Sequence, residues 1–126
     1  MKNSIISYCI FIVLIAFLTY ADINFKHLCT DIIDMCDEME ETLDTSSKEE
    51  NFNNAMDIFN LIQTKGSLAS IYINHVDYDV MLNEALKLTV YIEKDDESET
   101  EASLHLLKFS TEHMKKLQVP NIENIF

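Results

Sequence analysis

From Ser4 to Ala21 the chain carries no charge for 18 residues, and most of the run is Ile, Leu, Val or Phe. As a helix the run is about 27 Å long, close to the hydrocarbon thickness of a bilayer. Every face of that helix is apolar, which suits a membrane span better than a core helix. The competing reading is a cleavable signal peptide. Thr19-Tyr20-Ala21 before Asp22 ends on a small residue, and the strongest apolar stretch, Ile10–Leu18, is short. Thr and Tyr make a mediocre cleavage site, and the helical pattern runs through it unbroken. Span length therefore decides for an uncleaved anchor over residues 1–21, followed by a domain over residues 22–126. No lipobox precedes Cys9, which argues against a lipoprotein.

The flanks set an orientation. Lys2 and the α-amine precede the run and Asp22 follows it. The positive-inside rule then puts the amino terminus in the cytoplasm and residues 22–126 outside. The expected location is the cell membrane, crossed once.

The rest of the chain is acidic. Net charge is −13, from 22 Asp and Glu against 9 Lys, with no arginine. Such a chain has no basic surface to neutralise phosphates, so no nucleic-acid partner is expected. One Gly and one Pro in 126 residues leave few turn residues for a strand-and-turn protein and none for a Gly-rich phosphate loop.

Periodicity reads as helices throughout. Phe25, Cys29, Ile32, Cys36, Met39 and Leu43 alternate spacings of four and three, with Asp31, Asp34, Asp37, Glu38 and Glu41 opposite. Nothing between Tyr20 and Phe25 breaks a helix, so this one is expected to continue from the span. Ser47-x-x-Glu50 is a capping box, opening a helix with Phe52, Ala55, Met56, Phe59 and Ile62 on one face and Gly66 as its stop or bend. Ser67–Val76 is ambiguous. Ile71-Tyr72-Ile73 has no second strand to pair with, so a short helix or turn is expected. Asp77 is expected to cap a helix to about Lys94 that buries Val80, Met81, Leu82, Leu86, Val90 and Ile92. Asp95–Glu101 reads as a solvated loop with Ser98-x-x-Glu101 as a further capping box. The last helix carries Ala102, Leu106, Phe109, Met114 and Leu117 as its apolar stripe and ends before Pro120. Ile122, Ile125 and Phe126 are expected to fold back onto the bundle. The expected fold is all-α, an amino-terminal transmembrane helix running into a small antiparallel helical bundle.

Several positions together carry a resemblance. The amino-terminal span is followed by Tyr72-Ile73-Asn74-His75, Leu88 with Tyr91-Ile92, Phe109 with His113, and Asn-Ile-Glu-Asn-Ile-Phe over residues 121–126. The chain resembles an uncharacterised bacterial family of small membrane-anchored proteins, domain-of-unknown-function family 4363, over nearly its whole length. The resemblance implies a single span and a helical domain, and no known reaction.

Candidate chemistry is sparse. Cys29 and Cys36 lie seven residues apart, about 10.5 Å on one helix, too far for a disulfide between them. They read as small buried residues, or as an intermolecular bridge across a helix pair. His27 and Cys29 point to different sides of a helix, so no metal site is expected among His27, Cys29 and Cys36. Asp77-Tyr78-Asp79 lacks the twelve-residue calcium-loop pattern and its central Gly. Asn74, His75 and His113 are the candidate structural polar residues, with one or both of His75 and His113 read as satisfied core histidines. No nucleophile stands beside them, so no catalytic residue, cofactor or enzyme activity is expected. The functional expectation is a membrane-anchored helical interaction or accessory protein of unknown biochemical activity. Its partner would be another membrane or envelope protein, or itself. The alternative is a small extracytoplasmic ligand-binding or enzymatic domain.

Overall fold

A computed structural model describes residues 1–69 and 74–117, with the side chains of 67–69 left aside. The described residues form helices α1 (Lys2–Thr42), α2 (Lys48–Ala69), α3 (His75–Glu93) and α4 (Glu97–Leu117), and no strand. The chain is all-α, as the periodicity predicts. α1 runs without a break from the apolar segment into the bundle. Its large apolar residues from Ile5 to Leu18 stand exposed, whereas Phe25, Leu28, Cys29, Ile32, Cys36 and Met39 are buried. The bundle therefore begins about one helical turn past Ala21.

The packing order is cyclic: α1 meets α2 and α4, and α3 meets α2 and α4. Short turns at residues 43–47 and 94–96 make sequential helices antiparallel. The core joins the α1 stripe to Ala55, Ile58 and Ile62 of α2, Met81, Ala85, Leu88 and Ile92 of α3, and Leu104, Leu107 and Met114 of α4.

The starts of α2, α3 and α4 are capped by side chains. Ser47 Oγ accepts from Glu50 N at 3.1 Å, the first half of the expected capping box. Two other starts differ from expectation. α3 is capped by Asn74, whose Oδ1 accepts from Val76 N at 3.0 Å, and Asp77 falls in its first turn. α4 is capped by Asp96, whose Oδ1 accepts from Glu99 N at 3.2 Å, so Ser98 lies inside the helix and the acidic loop shrinks to a tight turn. α3 ends in a Schellman motif: Asp96 N donates to Tyr91 O at 3.0 Å and Asp95 N to Ile92 O at 3.1 Å, with Asp95 left-handed at φ 57°.

Gly66 is neither stop nor bend. It lies inside α2 with an ordinary negative φ, and α2 continues to Ala69. Of the Ser67–Val76 stretch, residues 67–69 extend α2 and Asn74 caps α3, while 70–73 lie outside the described residues. The expected docking of Ile122, Ile125 and Phe126 lies outside them too.

Candidate interaction face

Polar contacts link α4 to α1. Lys108 Nζ pairs with Asp37, and lies 3.3 Å from Glu40 Oε2. His105 Nδ1 lies 2.9 Å from Glu40 Oε1. The hydrogen bonds to Asp37, then to Glu40, hold the Lys108 ammonium above its ordinary pKa. One turn from the end of α4, Lys115 lies near enough to Cys29 to act on its thiol. On the core side of α4 lie Thr100, Ser103, Leu104, Leu107, Thr111 and Met114.

The opposite face of α4 is the surprise. Ala102, Leu106, Phe109, His113 and Leu117 recur at spacings of three and four, one stripe of a helix. Sequence reading places this stripe in the core. The structure turns it outward: Leu106 is 51%, Phe109 67% and Leu117 48% exposed, and only Met114 of the expected set is buried. The cause is visible in the side that wins. Thr100 Oγ1 donates to Asp96 O and Thr111 Oγ1 to Leu107 O, each at 2.7 Å, so both hydroxyls are satisfied within their own helix and can be buried. Ser103 is buried beside them. These small residues let α4 approach the other helices closely, and the large apolar residues are left outside.

α3 departs in the same way. Val80, Leu86 and Val90 are exposed, while Ala85, Leu88 and Thr89 join Met81 and Ile92 in the core. Thr89 Oγ1 donates to Leu86 O at 2.6 Å.

The three candidate polar residues do not come together. Asn74 is the α3 cap. His75 is the first residue of α3 and is exposed, not a core histidine. His113 is exposed as well and stacks on Phe109, with ring centroids 6.5 Å apart and planes 8° from parallel. Both corrections have one origin: the faces that carry these histidines are the outward ones. Phe109 and His113 together form a stacked aromatic pair on the outer surface of α4.

Two of the three cysteines are core residues. Cys29 and Cys36 are fully buried and free. Desolvation pushes each thiol up to about 12, and for Cys36 the neighbouring Glu40 adds to the rise. Neither sulfur is open to a second chain, so the intermolecular bridge has no place in this fold. Among the described residues no group of three His, Cys, Asp or Glu is placed to hold a metal ion. At the end of the bundle away from the apolar segment, a cavity of about 240 Å³ opens between the two turns, lined by Leu43, Lys48, Asn51, Asp95 and Thr100 among others. Asn51 Nδ2 donates to Leu43 O at 3.0 Å there, and its Oδ1 is buried without a partner.

A family model described as Domain of unknown function (DUF4363) matches residues 19–125. The chain belongs to that family. The DUF4363 match opens inside the apolar run and takes in the whole bundle, so both the bundle part of α1 and the outward stripe of α4 lie within the family domain. No curated protein and no solved structure matches the chain.

Proposed function

We propose that this DUF4363 chain is a membrane-anchored interaction protein. Residues 4–21 cross the cell membrane once with the amino terminus in the cytoplasm, and the acidic bundle stands outside on the same unbroken helix. The outward face of α4 receives a partner, either another membrane or envelope protein or a second copy of the chain. One observation carries this reading: an apolar stripe with a stacked aromatic pair along the exposed face of α4. Exposed apolar residues in a contiguous row mark interaction sites more often than scattered ones do, and aromatic side chains are favoured anchors at such sites.

The span is supported by length and composition. α1 is long and apolar enough to cross a bilayer, and its apolar segment packs against nothing in the bundle. Lys2 before it and Asp22 after it support the orientation. The alternative, an extracytoplasmic ligand-binding or enzymatic domain, draws on the cavity between the two turns, whose lining offers carboxylates and one lysine.

A photo-crosslinking residue at Phe109, expressed in the full chain and activated in intact membranes, tests the reading. The expected result is a discrete adduct that Leu106→Glu abolishes. A crosslinker at Asp57, exposed on α2, should give none. Equal labelling from both positions would overturn it. Fusions of topology reporters after Phe126 test the orientation separately.

A further inference from the structure

We infer that the end of the bundle nearest the span is a bilayer-contacting surface, seated on the lipid headgroups, while the far end is held away from them. The inference rests on the proposed anchor.

The axial order of residues follows from the pairings. Glu40 sits by His105, Asp37 by Lys108 and Cys29 near Lys115, so α4 descends as α1 rises. Leu117 is therefore level with about residue 28 of α1, roughly 10 Å beyond Ala21. Gly66 packs on Tyr78, so the end of α2 and the start of α3 share one level. α2 has 22 residues, about 33 Å of helix, and its far end starts beside the turn after Thr42. Its last turn thus reaches down to the level of Asp22. This end of the bundle lies within the headgroup layer of a bilayer that α1 crosses at 4–21.

Charge is divided along that axis. The span-proximal half (residues 22–32, 58–69, 74–84 and 113–117) carries five acids against Lys26, Lys65, Lys115 and Lys116. The distal half (residues 33–57 and 85–112) carries sixteen acids against four lysines. A bundle with −13 overall would be pushed from an anionic leaflet if its charge were even. Here nearly all the excess is placed at the far end, where screening over a Debye length of about 8 Å removes it from the surface. His27, His75 and His113 are also in the proximal half.

Apolar side chains mark the same end. Ile23, Val76 and Leu117 are exposed there. Lysine stems beside them can lie along the interface with their ammonium groups among the phosphates.

The chain has no tryptophan, so single tryptophans report position cleanly. Full-length Leu117→Trp, Val76→Trp, Ser98→Trp and Val13→Trp variants are reconstituted in vesicles containing phosphatidylglycerol, with lipids brominated either high on the acyl chain or near its end. All four positions are exposed in the fold, and far-UV circular dichroism checks each variant. High bromines should quench Leu117→Trp and Val76→Trp at least about twofold more than Ser98→Trp at the distal end. Deep bromines should quench Val13→Trp. If Val13→Trp is quenched but Leu117→Trp and Val76→Trp match Ser98→Trp, the surface inference falls and the anchor stands. If Val13→Trp escapes quenching, the anchor falls and takes the inference with it.

Discussion

Gly66 of α2 lies with its bare Cα against the ring of Tyr78 of α3. A Cβ at Gly66 would overlap ring carbon Cε2 and stand 3.3 Å from both Cζ and Oη. The ring is held from its far end, where Tyr78 Oη donates to Ile62 O at 3.3 Å. The glycine is therefore kept for close helix approach, not for a turn.

Gly66→Ala accordingly sets two effects against each other. Helix propensity favours Ala by about 1 kcal/mol. Overpacking costs about 1–3 kcal/mol, because the ring must shift and give up its bond to Ile62 O. The net expectation is a loss of about 1 kcal/mol, read as a melting point lower by about 4–8 °C. In a Tyr78→Ala background the overlap is gone, and the same change should raise stability by about 1 kcal/mol. A double-mutant cycle by thermal unfolding measures the coupling. Additive effects would show that the ring does not restrain Gly66.

How far the sequence could be read depended on what fills the core. α1 was legible because its core residues are Phe25, Cys29, Ile32, Cys36 and Met39, all apolar by any scale. α4 was not. Its core side includes Thr100, Ser103 and Thr111, and hydropathy counts them as solvent-facing. The most apolar stripe of α4 is then the outward one, and a pattern argument assigns it inward. The spacing carried no sign of which stripe wins. That choice depends on packing volume and on Lys108 finding Asp37 across the bundle, a pair 71 positions apart in the chain. The misplacement of His113 follows from the same error. Of the five stripe residues the pattern picks out, Ala102, Leu106, Phe109 and Leu117 share the outward face that is the candidate site, and Met114 belongs to the core.

The facing of α4 predicts a sharp contrast between neighbours. Leu107 is fully buried, and Leu107→Ala should cost about 2–5 kcal/mol. Phe109, two residues on, is the larger side chain but stands 67% exposed. Phe109→Ser should leave stability within about 0.5 kcal/mol. Urea unfolding of both variants checks this. A large loss at Phe109 with little at Leu107 would mean that α4 is rotated by half a turn.

The two buried thiols make stability fall with alkali. Burial pushes Cys29 and Cys36 up to about 12 from the ordinary 9.0. Below about pH 9 both states keep their protons and the thiols contribute no slope. Above it the unfolded chain releases protons that the native chain retains, so unfolding gains. Each thiol then contributes a fall of up to about 1.4 kcal/mol per pH unit until its native value is reached. Melting points between pH 8 and 11 should drop less steeply for Cys29→Ala/Cys36→Ala than for the parent, although the variant starts lower at neutral pH because of its cavities. Parallel slopes would show that the thiols are ionised in the fold. In the parent at pH 8, both should resist a thiol reagent until denaturant is added.

Asp95 offers a test of the α3–α4 turn in which gain and loss have different origins. The residue stands in the left-handed region at φ 57°, the Schellman position that most often belongs to Gly. A side chain there costs about 1–2 kcal/mol, less for Asp than for most residues. Against this, Asp95 Oδ2 pairs with Lys48 Nζ at 3.0 Å, but both side chains are more than half exposed. Such a pair is worth about 0–1 kcal/mol and is screened by salt. Asp95→Gly should therefore stabilise by about 0.5 kcal/mol in low salt, and by more in 1 M salt, where the lost pair no longer counts. Asp95→Asn keeps the backbone tolerance, loses the pair and removes one charge from the acidic end, so it should stay near the parent. Asp95→Val cannot tolerate the left-handed region and should lose about 1–2 kcal/mol. The order Gly, then Asp and Asn, then Val in thermal unfolding would place backbone strain above the ion pair. An Asp95→Gly chain that melts below the parent in low salt and matches it in high salt would reverse that ranking, and Lys48 would then be what holds the α1–α2 turn to the α3–α4 turn.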